Sequence, residues 1–295
     1  MSFGVLTLAT PNDYRKAIGL ALSLRVSNPG VPVAVACAAR LRPLVEPYFD
    51  HVIDEDPTLR GFIHKVYLDR YSPFDDTFFF DSDVLVFRDV RPKAEEWSDQ
   101  AYNACGNYLA DGFSAFGLDR KAVRIMLGKE HLVEIGGAGH AYFRKPACEP
   151  VFDLARKVSH DYRRYAGDAK YADEDAMNIV MTMLDIRPRQ HWGFFSCPYS
   201  ALPRTLKMDA TIGQCEMIER STGKALQPHM MHFMANQAPF PYARQLRNLF
   251  KKFGADASGI YRIALEDFWE LEVKWRAKQA IKKVLGRRAP VNKTA

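Results

Sequence analysis

Residues 78–87 read FFFDSDVLVF, so that Asp81 and Asp83 stand between two apolar runs. Because carboxylates buried without partners are costly, this setting predicts a partner for both. One such partner is Mg²⁺ or Mn²⁺ bound to a diphosphate, since these ions take one or two carboxylates together with phosphate oxygens. In an extended segment the two side chains point the same way. The alternative is a strand-to-turn junction whose aspartates cap backbone N–H groups.

The chain before this stretch alternates short apolar runs with segments of helical periodicity. Such alternation predicts an α/β fold with a mostly parallel sheet and helices on both faces. Ligands of such sheets bind at the carboxyl ends of the strands, where Asp81 stands. The predicted strands are 3–9, 32–37, 51–54, 77–80 and 84–87, and the predicted helices are 13–25, 41–48 and 62–71.

The second half of the chain has a more mixed pattern. Strands are predicted over 101–107 and 141–144, helices over 148–163 and 174–184, and a loop over 191–202. An apolar, His-rich stretch follows at 227–242, and a basic segment of helical periodicity comes after it. We therefore expect one domain over 1–243 and a basic amphipathic helical tail over 244–295.

The composition is that of a globular chain, with 295 residues of which 47% are hydrophobic and 26% charged. It excludes a mainly disordered or fibrous protein, and no apolar run approaches the roughly 18 residues of a membrane span. The first residues carry no basic region with a small-residue cleavage site, so no signal peptide is predicted. Five cysteines without a C-x-x-C pair favour buried thiols in a reducing cytoplasm.

The net charge of +6 is unevenly distributed. From Arg244 onward the chain has 13 Lys or Arg against 5 Asp or Glu, a charge of +8, whereas residues 1–243 have 28 against 30, a charge of −2. The slightly acidic body argues against a nucleic-acid-binding face.

The tail combines this positive charge with aromatic side chains. One interpretation is peripheral attachment to the anionic inner face of the plasma membrane, because interfacial helices pair a basic face with aromatic anchors. The other is a helix that packs on the domain through Ala264, Phe268 and Leu271. The basic residues concerned are Arg244, Arg247, Lys251, Lys252, Lys274, Lys278, Lys282, Lys283, Arg287 and Arg288, and the aromatic ones are Phe250, Phe253, Phe268, Trp269 and Trp275.

The stretch from Lys65 to Asp75, KVYLDRYSPFD, leads into Asp81-Ser82-Asp83. With this arrangement, residues 3–240 resemble nucleotide-sugar-dependent glycosyltransferases of the A-type (GT-A) fold, in plan close to glycosyltransferase family 8. The resemblance implies a Rossmann-like, mostly parallel mixed sheet flanked by helices, with a C-terminal helical extension.

Other segments match this family less tightly. In the family, the segment matching residues 8–14 holds the base and ribose, which implies roles for Ala9, Thr10 and Tyr14. The turn at 136–139 lies where the family contacts the donor sugar, which implies Gly137 and Ala138. Two residues depart from the family, whose phosphate-binding lysine is Ala238 here and whose asparagine in the sugar turn is Gly137. A different cation must then meet the phosphate, and the candidates are Lys65, Arg60 and Arg244.

The resemblance also implies the activity: metal-dependent transfer of a hexosyl unit from a nucleoside-diphosphate sugar to a glycan or lipid-linked acceptor, with retention, as in polysaccharide biosynthesis. The default donor is a UDP-sugar. The implied metal is Mn²⁺ or Mg²⁺, and the implied catalytic carboxylates are Asp173 and Glu174, although acids also suit a helix N-terminus. The implied metal ligands are Asp81, Asp83 and His232, and Lys65, Asp81 and Ser82 join the nucleotide site.

Three rival interpretations remain for the two aspartates. A haloacid-dehalogenase-like phosphatase would use Asp81 as nucleophile and Asp83 as acid, but its D-x-D follows the first strand. A catalytically inactive GT-A module would bind the nucleotide without sugar transfer, and the departure at Ala238 favours this idea. A nucleotidyltransferase normally has a Gly-rich basic loop after the first strand, which TPND at 10–13 does not offer.

Overall fold

The computed structural model describes residues 2–136, 139–190, 193–234, 237–274, 277–278 and 280–281. Its strands are β1 (Phe3–Ala9), β2 (Val33–Cys37), β3 (His51–Asp54), β4 (Asp76–Phe80), β5 (Val84–Val86), β6 (Tyr102–Asn103), β7 (Gly106–Leu109), β8 (Leu132–Ile135), β9 (His140–Arg144), β10 (Phe195–Ser196), β11 (Lys207–Asp209), β12 (Gln214–Ile218), β13 (Ala225–Leu226) and β14 (Met230–His232). Its α-helices are α1 (Tyr14–Ser27), α2 (Arg42–Val45), α3 (Leu68–Tyr71), α4 (Arg91–Trp97), α5 (Arg120–Met126), α6 (Glu149–His160), α7 (Tyr162–Ala166), α8 (Asp173–Met183), α9 (Pro239–Lys252) and α10 (Ile260–Phe268). A seven-residue 3-10 helix spans Gly61–Tyr67, and a π-helical segment, Trp269–Lys274, follows α10.

Within the described residues, the central sheet has six strands in the order β3-β2-β1-β4-β9-β6. The first four strands are parallel, because helices return the chain to the same edge of the sheet. Strand β9 runs antiparallel to both of its neighbours. The predicted fold class, a mostly parallel mixed sheet, is therefore confirmed.

The side chains of β4 alternate between the two faces of this sheet, as the period of a strand requires. Phe78 and Phe80 lie on one face, in the same apolar cluster as α1 and α9, and the ring of Trp97 meets Phe78 at 5.5 Å between centroids. Phe79 lies on the other face, in the cluster that includes α6 and α8. Helices thus cover both faces, and β4 is buried on each side.

A second, smaller sheet carries part of the site. It has the order β10-β14-β5, with β14 antiparallel to β5 and His232 opposite Val84. This register brings His232 beside the residue that follows Asp83. Residues 191–202 were predicted to be a loop. This is wrong for Phe195 and Ser196, which form β10 and pair with β14.

Other local features differ from the prediction. The helix predicted over 41–48 is one α-helical turn, α2, between two 3-10 turns, and the helix predicted over 62–71 is the 3-10 helix Gly61–Tyr67 followed by α3. The strand predicted over 101–107 is two strands, because the N–H of Cys105 donates to Nε2 of His140 (2.9 Å) and the chain leaves the central sheet there to form the β7–β8 ribbon. The helix predicted over 148–163 is divided into α6 and α7. The sheet of β11, β12 and β13 was not predicted at all.

The C-terminal helices pack on the body of the domain. Leu246 and Leu249 of α9 are fully buried, so the predicted boundary between residues 243 and 244 lies inside a helix that contributes to the core. Lys16 of α1 and Asp267 of α10 form a buried ion pair at 2.9 Å. In the described part of the chain, no helix combines the length and the apolar character needed to cross a bilayer. All five cysteines are free, and four of them are buried.

Candidate active site

A turn at the end of β4 brings the two aspartates together. The N–H of Val84 donates to the carbonyl of Asp81 (3.1 Å), which closes the turn, and the N–H of Asp81 donates to the carbonyl of Gly139 (3.0 Å). The sequence predicted that Asp81 and Asp83 converge through an extended segment, which is wrong. They converge because the chain reverses between the central sheet and β5.

His232 completes a cluster with the two aspartates. Its Nε2 lies 3.0 Å from Oδ1 of Asp83 and 3.8 Å from Oδ2 of Asp81. One ligand atom from each of the three residues lies within 4.8 Å of the others, and no second cluster of this kind occurs among the described residues. The residues that the resemblance implies as metal ligands are thus brought together.

The donor set of this cluster fits a divalent cation. Two carboxylates and one imidazole suit Mn²⁺, which accepts oxygen and nitrogen ligands. Burial lowers the pKa of His232, but the hydrogen bond and charge of Asp83 outweigh it, and the pKa is raised. Burial likewise acts to raise the pKa of Asp83, but His232 outweighs it and the pKa is lowered. The contact between His232 and Asp83 therefore favours the charged forms of both, and a bound cation would replace the imidazole proton as the partner of the carboxylates.

Gly139 provides the space for the ring of His232. A Cβ built on Gly139 would lie 2.3 Å from Cε1, 2.4 Å from Nδ1 and 2.9 Å from Nε2 of that ring. Side-chain atoms do not approach so closely, so any larger residue displaces the imidazole. Gly139 thus serves the metal cluster by leaving room for one of its ligands.

We expect Gly139→Ala to lower the affinity for Mn²⁺ by about 10- to 100-fold, the usual cost of disturbing the support of a metal ligand. The backbone conformation of Gly139 is accessible to alanine, so the fold remains and the effect is steric. Calorimetric titration with Mn²⁺ measures it. The matched control is Gly136→Ala, whose Cβ would meet its nearest atom, the carbonyl oxygen of Cys105, at 3.9 Å. Wild-type affinity in Gly139→Ala would contradict this account of the ring.

Lys65 joins the metal cluster to the start of α8. Its Nζ lies 2.9 Å from Oδ1 of Asp81 and 3.2 Å from Oδ2 of Asp173, and its side chain is 14% exposed. Burial acts to lower the pKa of Lys65, but Asp81 and Asp173 outweigh it, and the pKa is raised. The ammonium group is therefore charged and holds Asp173 beside the cluster.

The three cations considered for the phosphate take different positions. Lys65 lines the main cavity next to Asp81. Arg60 also lines it, but its guanidinium donates to the backbone carbonyls of Pro57 and Leu59. Arg244 is exposed on α9 and does not line this cavity. Lys65 is therefore the best placed of the three.

The first turn of α8 contains both predicted catalytic carboxylates. Asp173 is buried against Lys65, whereas Glu174 is half-buried. The pKa of Arg120 is raised mainly by Glu134 and to a smaller degree by Asp175 and Glu174, so Glu174 lies within electrostatic range of that guanidinium. The two predicted residues thus have different surroundings.

Asp175, one residue on, is a fully buried acid that the sequence did not single out. Its Oδ2 accepts from Ser114 Oγ (2.9 Å) and Tyr162 Oη (3.1 Å), while its Oδ1 has no partner in the described part of the chain. Burial raises the pKa of Asp175 to about 6. The same carboxyl ionises near 3.8 in the unfolded chain, so the folded state binds the proton more tightly than the unfolded state does. The two states therefore differ in protonation between about pH 4 and pH 6.

We expect Asp175→Asn to raise the free energy of unfolding at pH 8 but not at pH 4. Above pH 6 the wild type must keep a buried carboxylate ionised, which costs at most about 3 kcal/mol, and its stability falls as the pH rises from 4 to 6. The neutral amide removes this dependence. Urea unfolding at the two pH values measures the difference, and an effect of equal size at both would contradict the assignment.

The main cavity has a volume of about 630 Å³ and runs along the carboxyl ends of β1 to β4. The predicted nucleotide residues Thr10, Lys65, Asp81 and Ser82 line it. Of the other predicted nucleotide residues, Ala9 is buried at the end of β1 and Tyr14 accepts from Arg15 Nε at 3.2 Å, and neither lines the cavity. Gly137 and Ala138 lie outside the described residues.

Sequence reasoning missed three further residues of this cavity, Arg40, Glu55 and His64. Glu55 could have been found, because it directly follows the strand 51–54, just as Asp81 follows its strand. No pattern in the sequence singles out Arg40 or His64.

Comparison with known proteins supports the fold. The sequence matches no protein-family model and no curated protein. The solved structure of the bifunctional glycosyltransferase WbbM is similar, with 13% identity and a TM-score of 0.57 over 89% of this chain and 51% of WbbM, so this chain spans about half of the WbbM chain. The galactosyltransferase LgtC, in complex with donor and acceptor sugar analogues, is similar with 16% identity and a TM-score of 0.51 over 93% of this chain and 99% of LgtC. At these identities the likeness shows the fold alone, which is the GT-A fold.

Proposed function

We propose that this chain is a metal-dependent glycosyltransferase that moves a hexosyl unit from a nucleoside-diphosphate sugar to a glycan or lipid-linked acceptor, with retention. One observation carries the proposal: the cluster of Asp81, Asp83 and His232 lies at the edge of a large cavity, where the central sheet of a GT-A fold ends. UDP is the donor carrier that the resemblance implies, and membership of family 8 remains a prediction.

Each residue of the cluster has a defined task in this proposal. Mn²⁺ or Mg²⁺, held by Asp81, Asp83 and His232, supplies the charge that stabilises the departing diphosphate. Lys65 adds a fixed positive charge on the same side and orients Asp81. This part of the chemistry is positioning and electrostatics, because the leaving group needs no covalent help.

The sugar itself passes through an oxocarbenium-like state, which nearby carboxylates stabilise. Lys65 holds Asp173 next to the cluster, and this contact supports a role for the carboxylate in stabilising that positive charge. Glu174 follows it on α8 and is the second carboxylate, as support or as nucleophile. Retention follows if one of them shields or attacks the anomeric carbon from the face opposite the diphosphate.

The test is incubation of the purified protein with Mn²⁺ and a panel of nucleotide sugars. We expect slow release of sugar from one donor, and NMR of the transfer product should show the anomer of the donor. An inverted anomer would refute the assignment of Asp173 and Glu174. Saturable nucleotide binding without sugar release would favour the inactive module instead.

Hydrolysis of a generic phosphate ester with intact nucleotide sugars would favour the haloacid-dehalogenase-like reaction. The fold gives that reaction no support, because Asp81 follows the fourth strand of the chain. A conventional phosphate ester therefore serves as the negative control in the same assay.

We further propose a cytoplasmic enzyme whose C-terminal segment, 244–295, contacts the inner face of the membrane while residues 1–243 carry the catalytic site. Ile260 and Ala264 of α10 are buried against the domain, but Leu265 and Trp269 are 57% and 58% exposed. The side chain of Leu271, and Trp275 and residues 282–295, lie outside the described residues. Equal flotation of the full chain and a chain lacking 282–295 with anionic liposomes would refute a role for those residues.

A further inference from the structure

The main cavity extends well beyond the metal cluster. Asp81 follows β4, while Glu55 follows β3, and β1 and β2 lie between these strands. Three inter-strand spacings separate the two positions, roughly 14 Å. The cavity is also lined by three cations, Arg40, Arg60 and Lys65. Glu55 is a carboxylate of the same cavity and lies at the end away from the metal cluster. A diphosphate bound at the cluster therefore directs the rest of its nucleotide towards Glu55.

Glu55 is held in place from two sides. Its N–H donates to the carbonyl of Cys37 (3.0 Å), which ties it to the end of β2. Its Oε2 lies 3.9 Å from Nε2 of His64, close enough for attraction but too far for a direct hydrogen bond. The side chain of Glu55 is 27% exposed, so it can still reach a ligand in the cavity.

A hydrogen-bond chain fixes the ring of His64. The N–H of Asp56 donates to Tyr71 Oη (3.2 Å), and Oη lies 2.9 Å from Nδ1 of His64. Oη accepts from this N–H and keeps its own proton, which can donate to Nδ1 when that ring nitrogen is unprotonated. Nε2 of His64 is the ring nitrogen that faces Glu55. His64 and Tyr71 are both buried, and their contact fixes the orientation of the His64 ring.

A carboxylate at this position selects its ligand by hydrogen-bond chemistry, since it only accepts. Uracil and guanine present an imino N–H, at N3 and N1 respectively, on their pairing edge. Cytosine and adenine present a ring nitrogen lone pair at the corresponding positions, which repels a carboxylate, so only their exocyclic amino groups can donate to it. A site built around one polar group discriminates strongly against analogues that lack the matching group.

The ribose is the other donor-bearing part of a nucleotide, and carboxylates at strand ends bind ribose hydroxyls in dinucleotide-binding folds. The roughly 14 Å between the positions of Asp81 and Glu55 is longer than the distance from a diphosphate to the ribose of the same nucleotide. The base edge reaches further, so it matches the position of Glu55.

We propose that Glu55 reads the base of the donor nucleotide and selects uracil or guanine over cytosine and adenine, with His64 and Tyr71 as its positioning residues. This inference rests on the proposed function, because the diphosphate must bind at the metal cluster. It assigns a specificity-determining role to a residue that the resemblance did not implicate.

The test measures binding of UDP, GDP, CDP and ADP to the full chain with Mn²⁺ by calorimetry. We expect UDP or GDP to bind about 10- to 100-fold more tightly than CDP and ADP, the scale of a charge-assisted hydrogen bond. Comparing the affinities for UDP and GDP shows which of the two bases, uracil or guanine, is bound more tightly. Equal affinity for all four would overturn the inference and leave the proposed function standing, whereas no Mn²⁺-dependent binding of any nucleotide would overturn both.

Glu55→Gln tests the residue itself. The amide both donates and accepts, so we expect the preference for UDP or GDP over CDP to fall to near one while Mn²⁺ affinity is unchanged. The control is Asp54→Asn, an exposed carboxylate one residue away that pairs with Arg42 at 2.9 Å and does not line the cavity. A preserved preference in Glu55→Gln would overturn the assignment.

Tyr71→Phe tests the positioning role, because it releases Nδ1 of His64 without touching the nucleotide. We expect the base preference to fall while Mn²⁺ affinity stays the same, and we expect Tyr71→Phe to cause no further fall when it is added to Glu55→Gln. Independent, additive effects of the two substitutions on the preference would show that Tyr71 does not act through Glu55.

Discussion

Under the proposed function we expect Asp83→Asn to lower kcat/KM for glycosyl transfer by at least about a thousandfold, which corresponds to the several kcal/mol that a bound metal contributes to charge stabilisation. The amide has the shape of the carboxylate but lacks its charge. Asp83 contributes the oxygen closest to His232, at 3.0 Å, so the loss affects the ion and the imidazole together. Titration with Mn²⁺ and donor kinetics measure the two consequences separately.

The matched control for this variant is Asp153→Asn. Asp153 is an exposed carboxylate on α6 that pairs with Arg156 and lies outside the cavity. Its substitution should leave Mn²⁺ affinity and transfer within twofold of wild type, about 0.4 kcal/mol by the usual conversion. Transfer by Asp83→Asn above one tenth of the wild-type rate would mean that the cluster does not hold the catalytic ion.

The strands of the first 87 residues were predictable because their local pattern and the fold agree. Each apolar run of four to seven residues forms a strand that is either buried on both faces or ends at the cavity. Because parallel strands need a crossover connection, helices are expected between these runs. The aspartates after FFF were recognisable for the same reason, since two charges in such a run require a partner. The alternating contacts of Phe78, Phe79 and Phe80 show the period that the prediction assumed.

The second half was less predictable because its pairings are not local. The run at 101–107 has one continuous pattern, yet Cys105 donates to His140 and the chain changes sheets at that point. His232 could be proposed as a ligand only through the resemblance, since its proximity to Asp83 depends on the register of β14 against β5.

Contacts between distant residues also explain the site features that the sequence did not reveal. The close approach of Gly139 to His232 joins positions 93 residues apart, and no pattern near either of them indicates it. The ion pairs that Lys65 makes with Asp81 and Asp173 depend in the same way on where α8 begins relative to β4. Glu55, by contrast, follows the same rule as Asp81, and applying that rule to each strand would have found it.

Lys65→Met should lower the free energy of unfolding by about 3–5 kcal/mol, the cost of removing one partner from a buried ion pair. Methionine keeps the length of the side chain and the contacts with the rings of Phe62 and Phe79, near which the ammonium group lies at 5.6 and 5.7 Å. What it removes is the charge between Asp81 and Asp173. Asp173 then stays buried without its cation, while Asp81 keeps the imidazole of His232 at 3.8 Å, and urea unfolding measures the loss.

The double variant Lys65→Met/Asp173→Asn separates this explanation from a simple packing defect. If the loss comes from an uncompensated carboxylate, neutralising Asp173 restores part of the stability, and the two substitutions are non-additive. Added Mn²⁺ should restore a further part, because a cation near Asp81 replaces the missing charge. Lys129→Met is the control: its pair with Asp185 is exposed, at 28% and 78%, and such pairs contribute about 0–1 kcal/mol. Strict additivity in the double variant would instead assign the loss to packing, and Lys65 would no longer be the residue that couples α8 to the metal cluster.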